Sequence, residues 1–163
     1  MKNLLTAAAA LVLLSAAQTV SAQEIRGFAY GSGTTAQNDQ HYPGFGGGVV
    51  FDLGQPWLAV GAQGEAFSSW PYFAGRGSVF AEGRLMPNAA IRPIVLGGAG
   101  FGQYGGPMFG GGVEIRVPRS RLAVRMTVED YVRRDTRYSF TERVEPMGTV
   151  TSHQVATRFG VSF

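Results

Sequence analysis

Glutamates and arginines recur at even spacing along this 163-residue chain. Arg76, Glu82 and Arg84 share one phase. So do Glu114 with Arg116, and Arg125 with Glu129; Glu65 and Arg158 fall on the same kind of position in their own stretches. In a β-strand, residues two apart lie on one face. The pattern therefore gathers carboxylates and guanidiniums on common faces. Such faces do one of two things: they sit in water, or they pair with each other out of water, since an isolated buried charge costs several kcal/mol, on the order of 3–5 when one partner is missing. Other chemistry has little support. His41 and His153 are the only histidines and Cys is absent, too few ligands for a metal site. Ser152 and His153 are adjacent, so on a strand they point to opposite faces, and no serine-histidine-acid set converges. The run Gly100-Phe101-Gly102-Gln103-Tyr104-Gly105 has the GxGxxG spacing, but no helix follows to receive a phosphate. No catalytic residue, metal or cofactor is expected.

The stretches carrying these charges read as strands. Residues 149–163 are the clearest. Val155, Thr157, Phe159, Val161 and Phe163 alternate with Gln154, Ala156, Arg158, Gly160 and Ser162, a period of two. Similar alternation marks 42–53, 57–68, 75–86, 108–117 and 122–132. Stretches 24–31 and 91–102 are also expected as strands, but the first has no clear facing and the second is apolar on both faces. Tight turns are expected at Gly54-Gln55-Pro56, Pro87-Asn88 and Pro118-Arg119-Ser120. Polar loops are expected at 32–41 and 133–148; the latter holds Arg133, Arg134, Arg137 and Arg143 with Asp135, Glu142 and Glu145, a set suited to an unidentified surface ligand. Aromatics gather toward both strand ends. Phe51, Trp57 and Phe163 fall at the tight-turn end, and Tyr42, Trp70, Tyr72, Phe73, Tyr104 and Tyr131 at the other. Membrane interfaces select two such belts.

Residues 1–22 carry a basic start, a short apolar run and the ending Val20-Ser21-Ala22, as in a secretory signal peptide cleaved after Ala22. Residues 23–163 then make one domain. Lys2 is the single lysine, so every later basic residue is Arg. No basic stripe underlies the small positive net charge, which argues against nucleic acid as a partner.

The alternation ending on a terminal Phe resembles the closing strand of bacterial outer-membrane β-barrels. The whole of 23–163 resembles the small eight-stranded proteins of the OmpA transmembrane-domain and OmpX type. The resemblance implies an all-β fold, an eight-stranded antiparallel up-and-down transmembrane barrel in the outer membrane. It implies contact with outer-membrane lipid and lipopolysaccharide, and recognition of Val155, Phe159, Val161 and Phe163 by the barrel-assembly machinery. Its role would be structural or surface-interacting, with no enzyme activity. Eight strands enclose a lumen that side chains fill. Glu65, Arg76, Glu82, Arg84, Glu114, Arg116, Arg125, Glu129 and Arg158 are expected there as one charge network, without a wide pore. Two alternatives remain open from sequence: a lipid A-modifying barrel enzyme, and a soluble, exported lipocalin-like ligand binder with the opposite sidedness.

Overall fold

The computed structural model describes residues 24–35, 41–69, 72–102, 105–140 and 144–163. The expected leader and its cleavage point lie outside them. Eight strands, β1 (Ile25–Thr35), β2 (His41–Gln55), β3 (Leu58–Ser69), β4 (Tyr72–Arg84), β5 (Ile91–Gly102), β6 (Gly106–Arg116), β7 (Ala123–Phe140) and β8 (Val144–Ser162), follow in chain order. Each pairs antiparallel with the next, and β8 returns to β1, so the sheet is a closed barrel without crossovers. Closure runs from Phe28↔Ser162 to Thr35↔Val155. It is extended by Phe163, whose N–H donates to the Gly27 carbonyl at 2.9 Å while the Gly27 N–H donates back at 2.9 Å.

Local chemistry explains the turns. Gly54 has φ +73°, a conformation glycine adopts without penalty, beside the irregular register between Asp52 and Gln55. The β6–β7 turn instead places Arg119 at φ 60°, where a side chain costs about 1–2 kcal/mol. Its ends are tied by Val117 N–H to the Leu122 carbonyl at 3.0 Å.

The barrel is inside-out relative to a soluble one. Phe45, Phe73, Phe109 and Phe159 are 67%, 80%, 62% and 59% exposed on the outer wall, whereas Glu82, Glu114 and Glu129 are at most 1% exposed. That distribution fits a lipid exterior and a packed polar interior. Strands one and five now have a facing: Arg26, Phe28 and Tyr30 point inward, as do Arg92, Ile94 and Leu96. The fifth strand looked apolar on both faces because the lumen is itself greasy at mid-height, where Leu96 meets Phe28, Val50 and Phe80. Ring volume there is matched by glycine on β2: a Cβ on Gly48 would lie 2.6 Å from Phe28 Cζ, and one on Gly46 would lie 2.7 Å from Tyr30 Cζ.

Three expectations are corrected, the first being the 32–41 loop, of which Ser32 to Thr35 pair as the end of β1 and His41 begins β2. Residues 133–148 were expected as a loop, but β7 and β8 continue as a paired ribbon from Arg133↔Ser152 to Phe140↔Val144, with a register shift at Arg137/Tyr138. The stretch is mostly polar in sequence and carries no sustained apolar alternation, so its strands are invisible to a periodicity argument. Tyr131 was expected in the outer aromatic belt, yet it is 1% exposed inside the barrel. Its even spacing from Arg125 and Glu129 already placed it on the inward face, and phase outweighs position along the strand. Tyr42 likewise packs its ring 6.2 Å from that of Phe67, a buried lumen residue. Trp70, Tyr104, Glu142 and Arg143 lie outside the described residues, as do the side chains of Tyr72, Asp135, Arg137 and Glu145.

Candidate functional site: a lumen of two ionic layers

The inward faces build two charge clusters separated by rings. Nearer the β7–β8 ribbon, Glu65 accepts from Arg76 at 2.7 Å and from Arg158 at 2.6 Å. Arg158 also pairs with Glu129. Gln63 Nε2 and the Tyr131 hydroxyl each donate to Glu129 at 2.9 Å. Arg76 donates to Gln154 Oε1 at 2.7 Å, and its guanidinium lies 3.8 Å from the Tyr131 ring centroid. Charge and π-face thus hold the same cation.

Nearer the tight turns, Glu82 takes Arg125 at 2.6 Å and Arg84 at 2.9 Å. Asp52 takes Arg84 at 2.6 Å and Arg26 at 3.4 Å. Glu114 binds Arg92 and accepts from Arg26 at 3.2 Å, with the Ser162 hydroxyl donating to it at 3.3 Å. Between the layers Phe28 stacks on Tyr30 at 5.9 Å and meets Phe80 edge-on at 6.4 Å. The space left beside them is about 10 Å³, roughly one water.

The sequence placed Glu65, Arg76, Glu82, Arg84, Glu114, Arg125, Glu129 and Arg158 on one set of faces, and the structure gathers them into these two clusters. Arg116 stands apart. It is the last inward position of β6, exposed at the mouth, and donates to the Pro87 carbonyl at 3.2 Å. Sequence reasoning missed Arg26, Asp52 and Arg92. Asp52 shares the phase of Gly48 and Val50, so a signal existed; Arg26 and Arg92 lay on the strands without a facing.

Val155, Phe159, Val161 and Phe163 all point outward, 38%, 59%, 44% and 58% exposed, on the strand that closes the barrel. The Phe163 ring covers Gly27, where an added Cβ would meet Cε2 at 2.7 Å. Of the histidines, His41 Nδ1 lies 3.0 Å from Thr35 Oγ1, and His153 Nδ1 lies 2.8 Å from Asp130 Oδ2 on the outer wall. Ser152 occupies the opposite phase from His153, its hydroxyl donating to the Arg133 carbonyl at 3.5 Å. Among the described residues no three His, Cys, Asp or Glu are grouped to hold a metal.

The fold is shared with solved membrane barrels. The N-terminal β-barrel domain of Pseudomonas aeruginosa OprF matches with TM-score 0.53 and 10% identity, over 87% of this chain and 100% of that one. Neisserial surface protein A (NspA) matches with TM-score 0.52 and 8% identity, over 87% and 98%. The de novo designed TMB2.3 matches with TM-score 0.52 and 15% identity, over 88% and 95%. No protein-family model and no curated protein sequence matches the chain. At such low identity the likeness is one of fold: the eight-stranded barrel recurs with almost entirely different side chains.

Proposed function

We propose that the chain is an integral protein of a bacterial outer membrane with a structural or surface-interaction role, neither an enzyme nor a wide pore. The observation that carries this is the inverted sidedness, with exposed Phe45, Phe109 and Phe159 around buried Glu82, Glu114 and Glu129. In water each exposed Phe would forgo roughly 1.5–3 kcal/mol of burial. Lipid recovers it. A soluble lipocalin-like binder would need the opposite arrangement. The aromatic layer at Phe28 and Phe80, and the ion pairs on both sides of it, support a plugged lumen. The separation of Ser152 from His153 supports a non-catalytic role over lipid A modification. In this reading the tight turns face the periplasm, the β7–β8 ribbon reaches outward past lipopolysaccharide toward any surface ligand, and the outward row from Val155 to Phe163 is presented to the assembly machinery.

The test is membrane fractionation of the expressed protein with a heat-modifiability gel, joined to planar-bilayer recording. The expected result is a heat-modifiable band in the outer-membrane fraction with no large conductance. Recovery wholly in the soluble periplasm overturns the location; stable nanosiemens-scale openings overturn the plugged lumen; a lipid A species lost on gene deletion overturns the non-catalytic role.

A further inference from the structure

At the tight-turn end the lumen opens into a vestibule of about 370 Å³ lined by Arg26, Arg84, Arg92, Arg116 and Arg121, with Asp52 and Glu24 as its acidic members. Its charges are not balanced. Asp52, Glu82 and Glu114 are shared among Arg26, Arg84, Arg92 and Arg125. Guanidiniums outnumber carboxylates in that cluster before Arg116 and Arg121 are added. Both of these are exposed at the rim, and neither pairs with a carboxylate among the described residues. Among the described residues Arg116 donates to the Pro87 carbonyl, a neutral acceptor.

A second observation points the same way. Arg92 is 5% exposed and its Nε is buried with no hydrogen-bond partner; Arg26 Nε is in the same condition. A buried charged donor left unmatched costs about 1–3 kcal/mol or more. Native interiors rarely retain one without a reason. The same orphaned Nε occurs at Arg76 and Arg158 in the other layer; what sets Arg26 and Arg92 apart is that they also line an open cavity, and a planar guanidinium presents donors in a fork that matches the two oxygens of a carboxylate or phosphate. The low-dielectric walls below and the unspent charge at the rim both favour a multiply charged guest.

We infer that this vestibule is a binding site for a multiply charged oxyanion, a phosphate ester or a di- or tricarboxylate, held between Arg92 and Arg26 below and Arg116 and Arg121 above. Arg26, Arg84 and Arg92 are already shared with Asp52, Glu82 and Glu114 and frame the floor, so the charge not yet matched is that of Arg116 and Arg121 at the rim. The guest is either a free solute or the headgroup of an anionic lipid at the mouth. Only the compartment it comes from depends on the outer-membrane reading, in which this mouth faces the periplasm.

The experiment is calorimetric titration of the refolded full chain in non-ionic detergent with citrate and with pyrophosphate, at constant chloride. Binding is expected, and at least about tenfold weaker in the Arg116→Gln/Arg121→Gln variant, the loss set by two charge-assisted contacts. Neither residue belongs to the buried network, so the variant should keep the heat-modifiable band. The Arg133→Gln/Arg134→Gln variant, altered at the opposite end, should bind as the parent does. Repeating the titration in nanodiscs separates the sources: cardiolipin, whose headgroup carries two phosphates, competes with citrate if the headgroup is the guest, and leaves it bound if a solute is. No binding to the parent chain up to about 10 mM, or equal binding by both variants, overturns the inference. Neither result bears on membrane location.

Discussion

Replacing Glu65 tests the lumen most directly. Its carboxylate serves two cations, Arg76 at 2.7 Å and Arg158 at 2.6 Å, and all three side chains are at most 3% exposed. Removing one partner of a buried pair typically costs about 3–5 kcal/mol, because the other charge stays behind unpaired. The two arginines would not suffer equally. Arg158 keeps Glu129. Among the described residues, Arg76 keeps a neutral acceptor, Gln154, and the Tyr131 and Phe67 rings. Glu65→Gln, which preserves shape and an acceptor, should therefore fall near the lower end of that range, and Glu65→Ala near the upper. The double variant Glu65→Leu/Arg76→Met removes both members and leaves Arg158 matched by Glu129. It should lie within about 1 kcal/mol of the parent, since a buried pair roughly breaks even against apolar side chains of similar volume. The assay is urea unfolding from phospholipid vesicles, followed by the heat-modifiable band and by fluorescence of the exposed Trp57. If Glu65→Ala costs less than about 1 kcal/mol, or the double variant is as unstable as the single, the charges are solvated and the packed-lumen account fails.

Arg on the outer wall tests sidedness: Val95→Arg, mid-strand and outward, should cost about 2–4 kcal/mol in the same unfolding assay, and a neutral result would place that wall in water. Tyr131→Phe keeps the ring beside Arg76 but deletes the hydroxyl that donates to Glu129, so a loss of about 1–3 kcal/mol is expected with the band retained. Gly46→Ala would put a Cβ 2.3 Å from the Gly64 carbonyl and against Tyr30, and should cost about 1–3 kcal/mol by urea midpoint. Arg119→Gly should instead stabilise by about 1 kcal/mol, because glycine accepts φ 60° freely; destabilisation would mean the turn is built differently.

Legibility in the sequence followed the contrast between the two sides of each strand. Where lipid lies outside and charge inside, as along Arg76–Arg84 or Ala123–Glu129, alternation sorts the residues into two faces, and the small-plus-charged make-up of one face points it inward. It fails wherever the two faces do not contrast, as on β1 and in two further places. Strand β5 crosses the greasy mid-lumen, so Ile94 and Leu96 look like wall residues. Residues 133–148 are mostly polar in sequence without a sustained alternation, so the stretch looks like loop. Glu65, Glu82, Glu114 and Glu129 were legible as a set, but the division into two layers was not. That division depends on barrel stagger, which sets which residues of distant strands share a height.

The stagger also explains what the lumen charges accomplish. Backbone ladders join only neighbouring strands and do not by themselves specify how many strands close the ring. The side-chain pairs reach across: Arg26 of β1 to Glu114 of β6, Gln63 of β3 to Glu129 of β7, Arg76 of β4 to Gln154 of β8, and Arg158 of β8 to Glu65 of β3. Each bond is satisfied at one diameter and one stagger. A slip of one residue in any strand would turn its Glu and Arg into lipid and its Val and Phe into the lumen, because the side-chain period is two. A slipped β4 would turn Arg76, Glu82 and Arg84 outward and leave Asp52, Glu65 and Arg125 without their β4 partners in the lumen, a penalty of about 3–5 kcal/mol for each broken buried pair. The network thus acts less as a source of net stability than as the selector of one closure for this chain.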